Sequence, residues 1–370
     1  MNARENDFSI LELSRTALLD NYRYFRSLLQ PTTKMLVLVK ANAYGHGAVE
    51  MAAMLQRAGV DYLAVALPLE GVELRKAGIS VPILVLTAGT DFCREIIDYK
   101  LEPGIPNLDT LKALAEVLEA RGLKDYPIHI KLDTGMHRLG FMPSELPALA
   151  EFLKTCPQVK VRSCYSHLAV AEDPSQDEFT LGQIALFTKD ADYLTKTLGY
   201  SPMRHILNSA GIERFPQYQF DMVRLGIGIY GISCLPDTHL QAVASLKVKI
   251  LQIKRLDGDA ETVGYGRHGK VAPGGTVIAT IPVGYADGVD RHLGCGHASF
   301  LLNGRRVPTI GNICMDMCML DVTGVQAQVG DTVTIFGDEP TVSELAAILD
   351  TIPYEIFTSL PRRIERVILK

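Results

Sequence analysis

Lys40 closes a run, Met35 to Val39, in which every residue is apolar, as in a strand covered on both faces. An amine where such a strand stops is desolvated, which lowers its pKa and makes it a nucleophile. A lysine that merely snorkels from the strand end has the same local sequence. Arg138, in Lys131-Leu132-Asp133-Thr134-Gly135-Met136-His137-Arg138-Leu139-Gly140, also follows an apolar run. Its planar fork can grip a carboxylate or phenolate oxygen, or it is a solvated loop arginine. His167 follows the run Val159 to Cys164; a lone histidine in an apolar strand is more often a hydrogen-bonded core residue than a proton carrier. Arg224, in Asp221-Met222-Val223-Arg224, stays protonated at ordinary pH and can only donate hydrogen bonds. A buried salt bridge with Asp221 is its other use.

These residues need elements that deliver them to one rim. Ala41 to Gly47 reads as a small-residue turn, and Ala48 to Arg57 has helical apolar spacing. Further strand candidates are Tyr62 to Ala66, Val81 to Thr87, Leu101 to Ile105, Ile128 to Leu132, Val159 to Cys164, Ile206-Leu207 and Met222 to Leu225, with helical patterns between them. Counted from Val37, this gives roughly eight strand-first units, which predicts a (β/α)8 TIM-like barrel over residues 8–240. A doubly wound open sheet has the same periodicity. Catalytic groups of such barrels sit at the carboxyl ends of the strands, where Lys40 stands. Asn208-Ser209 and Gly226-Ile227-Gly228 follow the last two strands, where barrels often bind phosphate through backbone N–H groups. Gly226 to Gly231 also matches a dinucleotide glycine pattern, but it closes an α/β region instead of opening one. From residue 241 to 370, short strand-like runs such as Ser245 to Leu256, Thr276 to Pro282 and Thr332 to Phe336 predict a separate, mainly β domain.

The 370 residues are 47% hydrophobic and 21% charged with net charge −5, an ordinary globular balance that argues against a nucleic-acid partner. No apolar run reaches the roughly 18 residues of a membrane span, and the opening Met-Asn-Ala-Arg-Glu-Asn-Asp lacks a signal-peptide core. Seven scattered cysteines predict free thiols in a reducing cytoplasm. The spacings around Cys314, Cys318, His292, Cys295 and His297 match no standard zinc site, so no metal is expected.

Val39-Lys40-Ala41-Asn42-Ala43-Tyr44-Gly45-His46-Gly47 closely resembles the segment by which alanine racemases, fold-type III enzymes, hold pyridoxal 5′-phosphate as a Schiff base. The segments around Arg138, His167, Arg224, Glu261 to Gly266, Ile281 to Gly288, Asn312 to Asp316 and Tyr354 resemble the same family, so the likeness spans nearly the whole chain. It implies an alanine racemase that works with two bases, Lys40 for D-alanine and Tyr265 for L-alanine. His167 would lie beside the pyridine ring, and Arg224 would face the pyridine nitrogen as a weak electron-sink partner. Tyr44, Asn208, Ser209, Gly226, Ile227 and Tyr354 would hold the cofactor, and Arg138 and the Met315 N–H the substrate carboxylate. Tyr285 and Asp316 would line the entrance, and Lys131 would carry the carbamate found in many members. The resemblance further implies a head-to-tail homodimer, Tyr265 serving the partner's site, and D-alanine for peptidoglycan. A serine or broad-specificity racemase, a non-catalytic pyridoxal-phosphate-binding protein and an amino-acid decarboxylase are the alternatives. Tyr265 with its β domain argues against the second, and Arg224 against the third.

Overall fold

The computed structural model describes residues 8–369 apart from 237, 239 and 259. It divides into two compact units, one of residues 19–43 and 48–240, the other of residues 1–18, 44–47 and 241–370. In chain order the strands are β1 (Ser9–Ser14), β2 (Lys34–Leu38), β3 (Tyr62–Val65), β4 (Ile83–Val85), β5 (Glu102–Ile105), β6 (Tyr126–Lys131), β7 (Val159–Tyr165), β8 (Met203–His205) and β9 (Met222–Leu225). They continue with β10 (Ala244–Lys249), β11 (Gln252–Leu256), β12 (Thr262–Val263), β13 (Gly269–Lys270), β14 (Thr276–Ile281), β15 (Ser299–Leu302), β16 (Arg305–Pro308), β17 (Cys318–Asp321), β18 (Thr332–Phe336) and β19 (Glu365–Leu369).

In the first unit, β2 to β9 form one eight-stranded sheet in the order β8-β7-β6-β5-β4-β3-β2-β9, with every pairing parallel. Asp221 N donates to Arg204 O at 3.2 Å and Arg224 N to Leu207 O at 2.9 Å, which draws β9 against the chain of β8 and closes the ring. This is the predicted TIM-like barrel and not the open doubly wound sheet. The burial explains the sequence: β3 and β4 are buried at every position, as strands walled by helices on one side and the barrel interior on the other must be. The helices start where local chemistry allows. Asn107 caps Leu108–Ala120 by accepting from Thr110 N at 2.9 Å, and Pro68 opens Pro68–Lys76.

In the second unit the described strands form a six-stranded sheet, β16-β15-β18-β10-β1-β19, a three-stranded sheet, β11-β14-β17, and the ribbon β12–β13. Two expectations need correction. Residues 8–240 are not all barrel, because β1 pairs antiparallel with β10 and parallel with β19. The physical sign is its burial, which alternates residue by residue as in a strand covered on one face only. The seventh barrel strand is Met203–His205, not Ile206-Leu207; the apolar pair lies just beyond it. Residues 44–47 also gather with the second unit: Arg366 Nη2 donates to Gly45 O at 2.8 Å, and the His46 ring lies 4.7 Å from that of Phe357.

Candidate active site

Lys40 follows β2 at the carboxyl end of the barrel, half-buried. Burial, reinforced by the Arg138 guanidinium, lowers its pKa from the usual lysine value, with Glu70 opposing. The turn after it is unusual. Ala41, Asn42, Ala43 and Tyr44 all lie in the left-handed region, with φ of 51°, 54°, 52° and 52°. Side chains without branching tolerate that region at least cost, and three bonds hold it. Ala43 N donates to Val39 O at 2.9 Å, Ala48 N to Asn42 Oδ1 at 3.0 Å and Ala41 N to Glu70 Oε1 at 2.6 Å. The other Glu70 oxygen accepts from Ala66 N and Leu67 N at 2.8 and 2.9 Å, so one carboxylate ties the lysine turn to the end of β3. Nothing in the sequence pattern singles out Glu70.

The other barrel residues cluster on the same end. Lys131 ends β6 with Nζ 4.7 Å from the centre of the Tyr165 ring. Burial, with Arg224 and Arg138 nearby and Asp133 only partly compensating, pushes its pKa down to about 7. Asp133 shapes the Arg138 loop by accepting from Gly135 N and His137 N, each at 3.0 Å. Burial would raise its pKa, but those N–H groups win and hold it below the ordinary carboxylate value. Arg138 itself is exposed at the loop tip.

Arg224, on β9, is buried and has no carboxylate partner among the described residues: Nη1 donates to His205 Nδ1 at 3.0 Å and His205 O at 2.9 Å. Nη2 donates to Ile206 O at 2.9 Å, His167 Nδ1 at 3.2 Å and Ser166 O. The salt bridge with Asp221 considered from sequence is absent among the described residues; Asp221 Oδ2 instead accepts from Arg204 N at 2.8 Å. Burial lowers the Arg224 pKa to about 10, and burial together with Arg224 drives the His167 pKa well below its ordinary value. His167 is therefore neutral and accepts at Nδ1. These bonds engage both terminal nitrogens of Arg224; Nε–H has no protein acceptor among the described residues.

Ser209 Oγ accepts from Gly226 N at 2.9 Å and Gly228 N at 3.2 Å, stitching the two loops after β8 and β9 together. Asn208 caps the helix Ser209–Arg214, accepting from Gly211 N at 2.9 Å. Ser209 and Ile227 each open a helical turn, so their N–H groups lack an intrahelical acceptor.

In the second unit, Tyr265 stands in the loop between β12 and β13, its ring 74% exposed, with Gly264 and Gly266 at positive φ on either side. Asn312 Nδ2 donates to Tyr265 O at 2.8 Å and fixes the loop. The Cys314–Asp316 segment docks on the turn at Tyr285: Tyr285 N donates to Cys314 O at 3.1 Å and Ala286 N to Met315 O at 3.0 Å. A side chain at Gly284 would collide with the Cys314 and Met315 carbonyls. Arg363 bridges Asp316 at 2.9 Å and Asp287 at 2.7 Å. Tyr265, Tyr285 and Met315 are exposed large side chains that nearby loops of this unit present together. Tyr44 is buried with its ring 5.8 Å from that of Tyr354, and burial raises its pKa.

Models of the alanine racemase N-terminal and C-terminal domains match residues 13–234 and 243–368. The chain belongs to the alanine racemase family. The alanine racemase of Synechocystis sp. is 36% identical, the match covering 97% of this chain and 98% of that one. Alanine racemase 1 of Oceanobacillus iheyensis is 37% identical, covering 96% of both chains. Among solved structures, the alanine racemase of Bartonella henselae with covalently bound pyridoxal phosphate superposes with TM-score 0.88 at 29% identity, covering 98% and 99%. That of Bacillus anthracis with bound L-Ala-P gives 0.91 at 29% identity, covering 100% and 96%. Members are isomerases of a pyridoxal-phosphate enzyme family. Among the described residues no helix is long and apolar enough to cross a membrane, and no group of three His, Cys, Asp or Glu could hold a metal ion.

Proposed function

We propose that this chain interconverts L- and D-alanine with pyridoxal 5′-phosphate held covalently by Lys40. The observation that carries the reading is the pairing, at one barrel end, of a pKa-lowered lysine with a buried arginine that leaves one N–H unused by protein. Those residues fit the cofactor. An amine supplies the covalent anchor, the N–H groups of Ser209 and Ile227, in loops joined by the Gly226 N–H bond to Ser209 Oγ, suit a phosphate, and Arg224 Nε–H suits a ring nitrogen that carries no proton. Bound there, the cofactor would withdraw electron density from the substrate's Cα–H bond.

The chain's own residues do the rest. Proton transfer must occur on both faces of Cα, and one amine cannot easily serve both. Lys40 Nζ serves D-alanine and Tyr265 Oη serves L-alanine. Arg138 and the Met315 N–H hold the carboxylate, and His167 borders the ring. Tyr44 adds to the phosphate cradle beside Asn208, Tyr354 contacts the cofactor and borders the substrate methyl, and Tyr285 and Asp316 line the entrance. Lys131, with its pKa lowered to about 7, is about half unprotonated at neutral pH, and the unprotonated form is the one in which an amine adds to carbon dioxide. Its carbamate would carry a negative charge toward Arg138. The exposed Tyr265 supports a head-to-tail homodimer in which each chain completes the other's site. The product D-alanine would feed peptidoglycan synthesis in the cytoplasm. A serine or broad-specificity racemase is the second reading; assays with serine and lysine separate it from the first.

An absorbance scan of the purified protein tests the cofactor. A band near about 420 nm that borohydride removes supports it, and a colourless chain that cannot be reconstituted overturns it. Lys40→Ala should abolish exchange of the Cα hydrogen in D2O, whereas exchange at the wild-type rate makes Lys40 structural.

A further inference from the structure

Barrel interiors are normally filled by branched apolar side chains. In this barrel five neighbouring strands, β5 to β9, each contribute one polar residue to a continuous buried chain. Arg224 Nη1 meets His205 Nδ1 at 3.0 Å, and His205 Nε2 meets Ser163 Oγ at 2.8 Å. Ser163 Oγ meets His129 Nδ1 at 2.6 Å, and His129 Nε2 meets Glu102 Oε2 at 2.8 Å. His129, Ser163 and His205 have no exposed surface at all, and Glu102 and Arg224 almost none. His129 and Ser163 are direct register partners on β6 and β7.

Distances alone do not say which atom donates, but the ends of the chain do. An arginine has no acceptor, and an ionised glutamate has no donor. Glu102 faces the Tyr62 hydroxyl, which bonds it, and the charge of Arg75. Arg224 must donate to His205 Nδ1, so the His205 proton sits on Nε2 and points at Ser163. Ser163 then donates to His129 Nδ1, and His129 Nε2–H donates to Glu102. The reverse order fails, because it sets His205 Nδ1–H against an Arg224 N–H. A doubly protonated His129 fails differently, leaving the Ser163 hydroxyl proton without an acceptor among the described residues.

We propose that Glu102, His129, Ser163 and His205 form a one-directional hydrogen-bond relay that positions Arg224, reserving the His205 Nδ1 lone pair for it. The guanidinium is then held from the barrel side by its terminal nitrogens, and Nε–H is kept for an unprotonated aromatic nitrogen. The consequence for the cofactor rests on the function proposed above; the direction of the relay does not. All four are positioning residues, since none of them meets the substrate.

The test uses the full chain loaded with pyridoxal phosphate and labelled with 15N-histidine. Long-range 15N–1H spectra should show His129 and His205 neutral and protonated at Nε2 through neutral pH. An imidazolium at His129, or an Nδ1–H form at either residue, overturns the relay. Glu102→Gln replaces an obligate acceptor by a group that can also donate. It should give mixed tautomers at His129, weaken the visible circular dichroism of the bound cofactor, and lower kcat roughly tenfold with KM little changed. Mixed tautomers with wild-type dichroism and kcat would mean that the chain only fills the core, and would overturn the positioning role. A protein that never takes up the cofactor sinks the proposed function, while its histidine spectra still decide the relay.

Discussion

Glu70 is the residue whose removal should matter most for its size. Four consecutive left-handed residues, Ala41 to Tyr44, follow the lysine. At about 1–2 kcal/mol for each L-residue in that region, the turn stores roughly 4–8 kcal/mol. It persists only because surrounding bonds outweigh this cost, and Glu70 supplies one directly through Ala41 N and two more at Ala66 N and Leu67 N. A bond to a charged acceptor contributes about 1.5–3 kcal/mol when buried, and Ala41 is exposed, so about 1 kcal/mol is a fair value there. Loss of the cap at Ala66 and Leu67 adds about 1 kcal/mol. Glu70→Ala should therefore withdraw about 2 kcal/mol from a turn that has little to spare, and the turn should relax. A reacting group displaced by about 1 Å loses on the order of 100-fold in rate, so racemisation should fall between about 10- and 100-fold. Glu70→Gln, which keeps an acceptor oxygen, should fall between this variant and the wild type. The assay is the rate of D-alanine formation at saturating cofactor, with far-ultraviolet circular dichroism to confirm that the barrel stands. A folded Glu70→Ala protein within about twofold of the wild-type kcat refutes the account of the turn.

Three further outcomes are expected. Because the Lys131 pKa is lowered in the fold, the unfolded chain binds more protons between about pH 7 and the ordinary lysine value, so this residue's contribution to stability rises with pH across that window and is lost as pH falls through 7. The same neutral amine should take up 13C-bicarbonate as a carbamate visible by 13C NMR, and Lys131→Met should lose that signal along with part of the activity. Arg224→Glu should favour a protonated ring nitrogen, so transamination should rise as racemisation slows; unchanged partitioning between the two would refute the role given to Arg224. Lys40→Ala and Tyr265→Phe, unfolded together and refolded with cofactor, should recover about a quarter of wild-type activity, since heterodimers are about half of random dimers and each restores one of two sites; background activity would exclude a shared site.

Much of the barrel was legible because strands buried on both faces leave uninterrupted apolar runs, as Met35 to Val39 does. The misplaced strand limits share one cause. Periodicity reports which residues are apolar, while strand limits follow hydrogen bonds. Met203-Arg204-His205 carries two polar residues and is nevertheless the paired strand, and the apolar Ile206-Leu207 lies past its end. Ser245 to Leu256 reads as one run, but the chain changes sheets at Ile250, giving β10 to one sheet and β11 to another. The left-handed turn was not legible either. Alanine has no preference for that region, so only the bonds from Glu70, Val39 and Asn42 reveal why the chain adopts it.

The site divides along a similar line. Residues embedded in long local motifs, such as Lys40, Arg138, Arg224 and Tyr265, are singled out by the sequence as candidates. His129, Ser163, His205 and Glu102 are not, because each taken alone looks like a satisfied polar core group of its own strand. That description is true of each one, and it misses what they share. In a parallel barrel, residues at matching depth on adjacent strands become neighbours although they lie far apart in the chain; His129 and Ser163 are 34 apart, and Ser163 and His205 are 42 apart. One buried polar residue per strand on five successive strands is a joint property of register and sequence. Read together, the two obligate ends decide the proton positions of the three ambiguous residues between them, and no inspection of any one strand could do so.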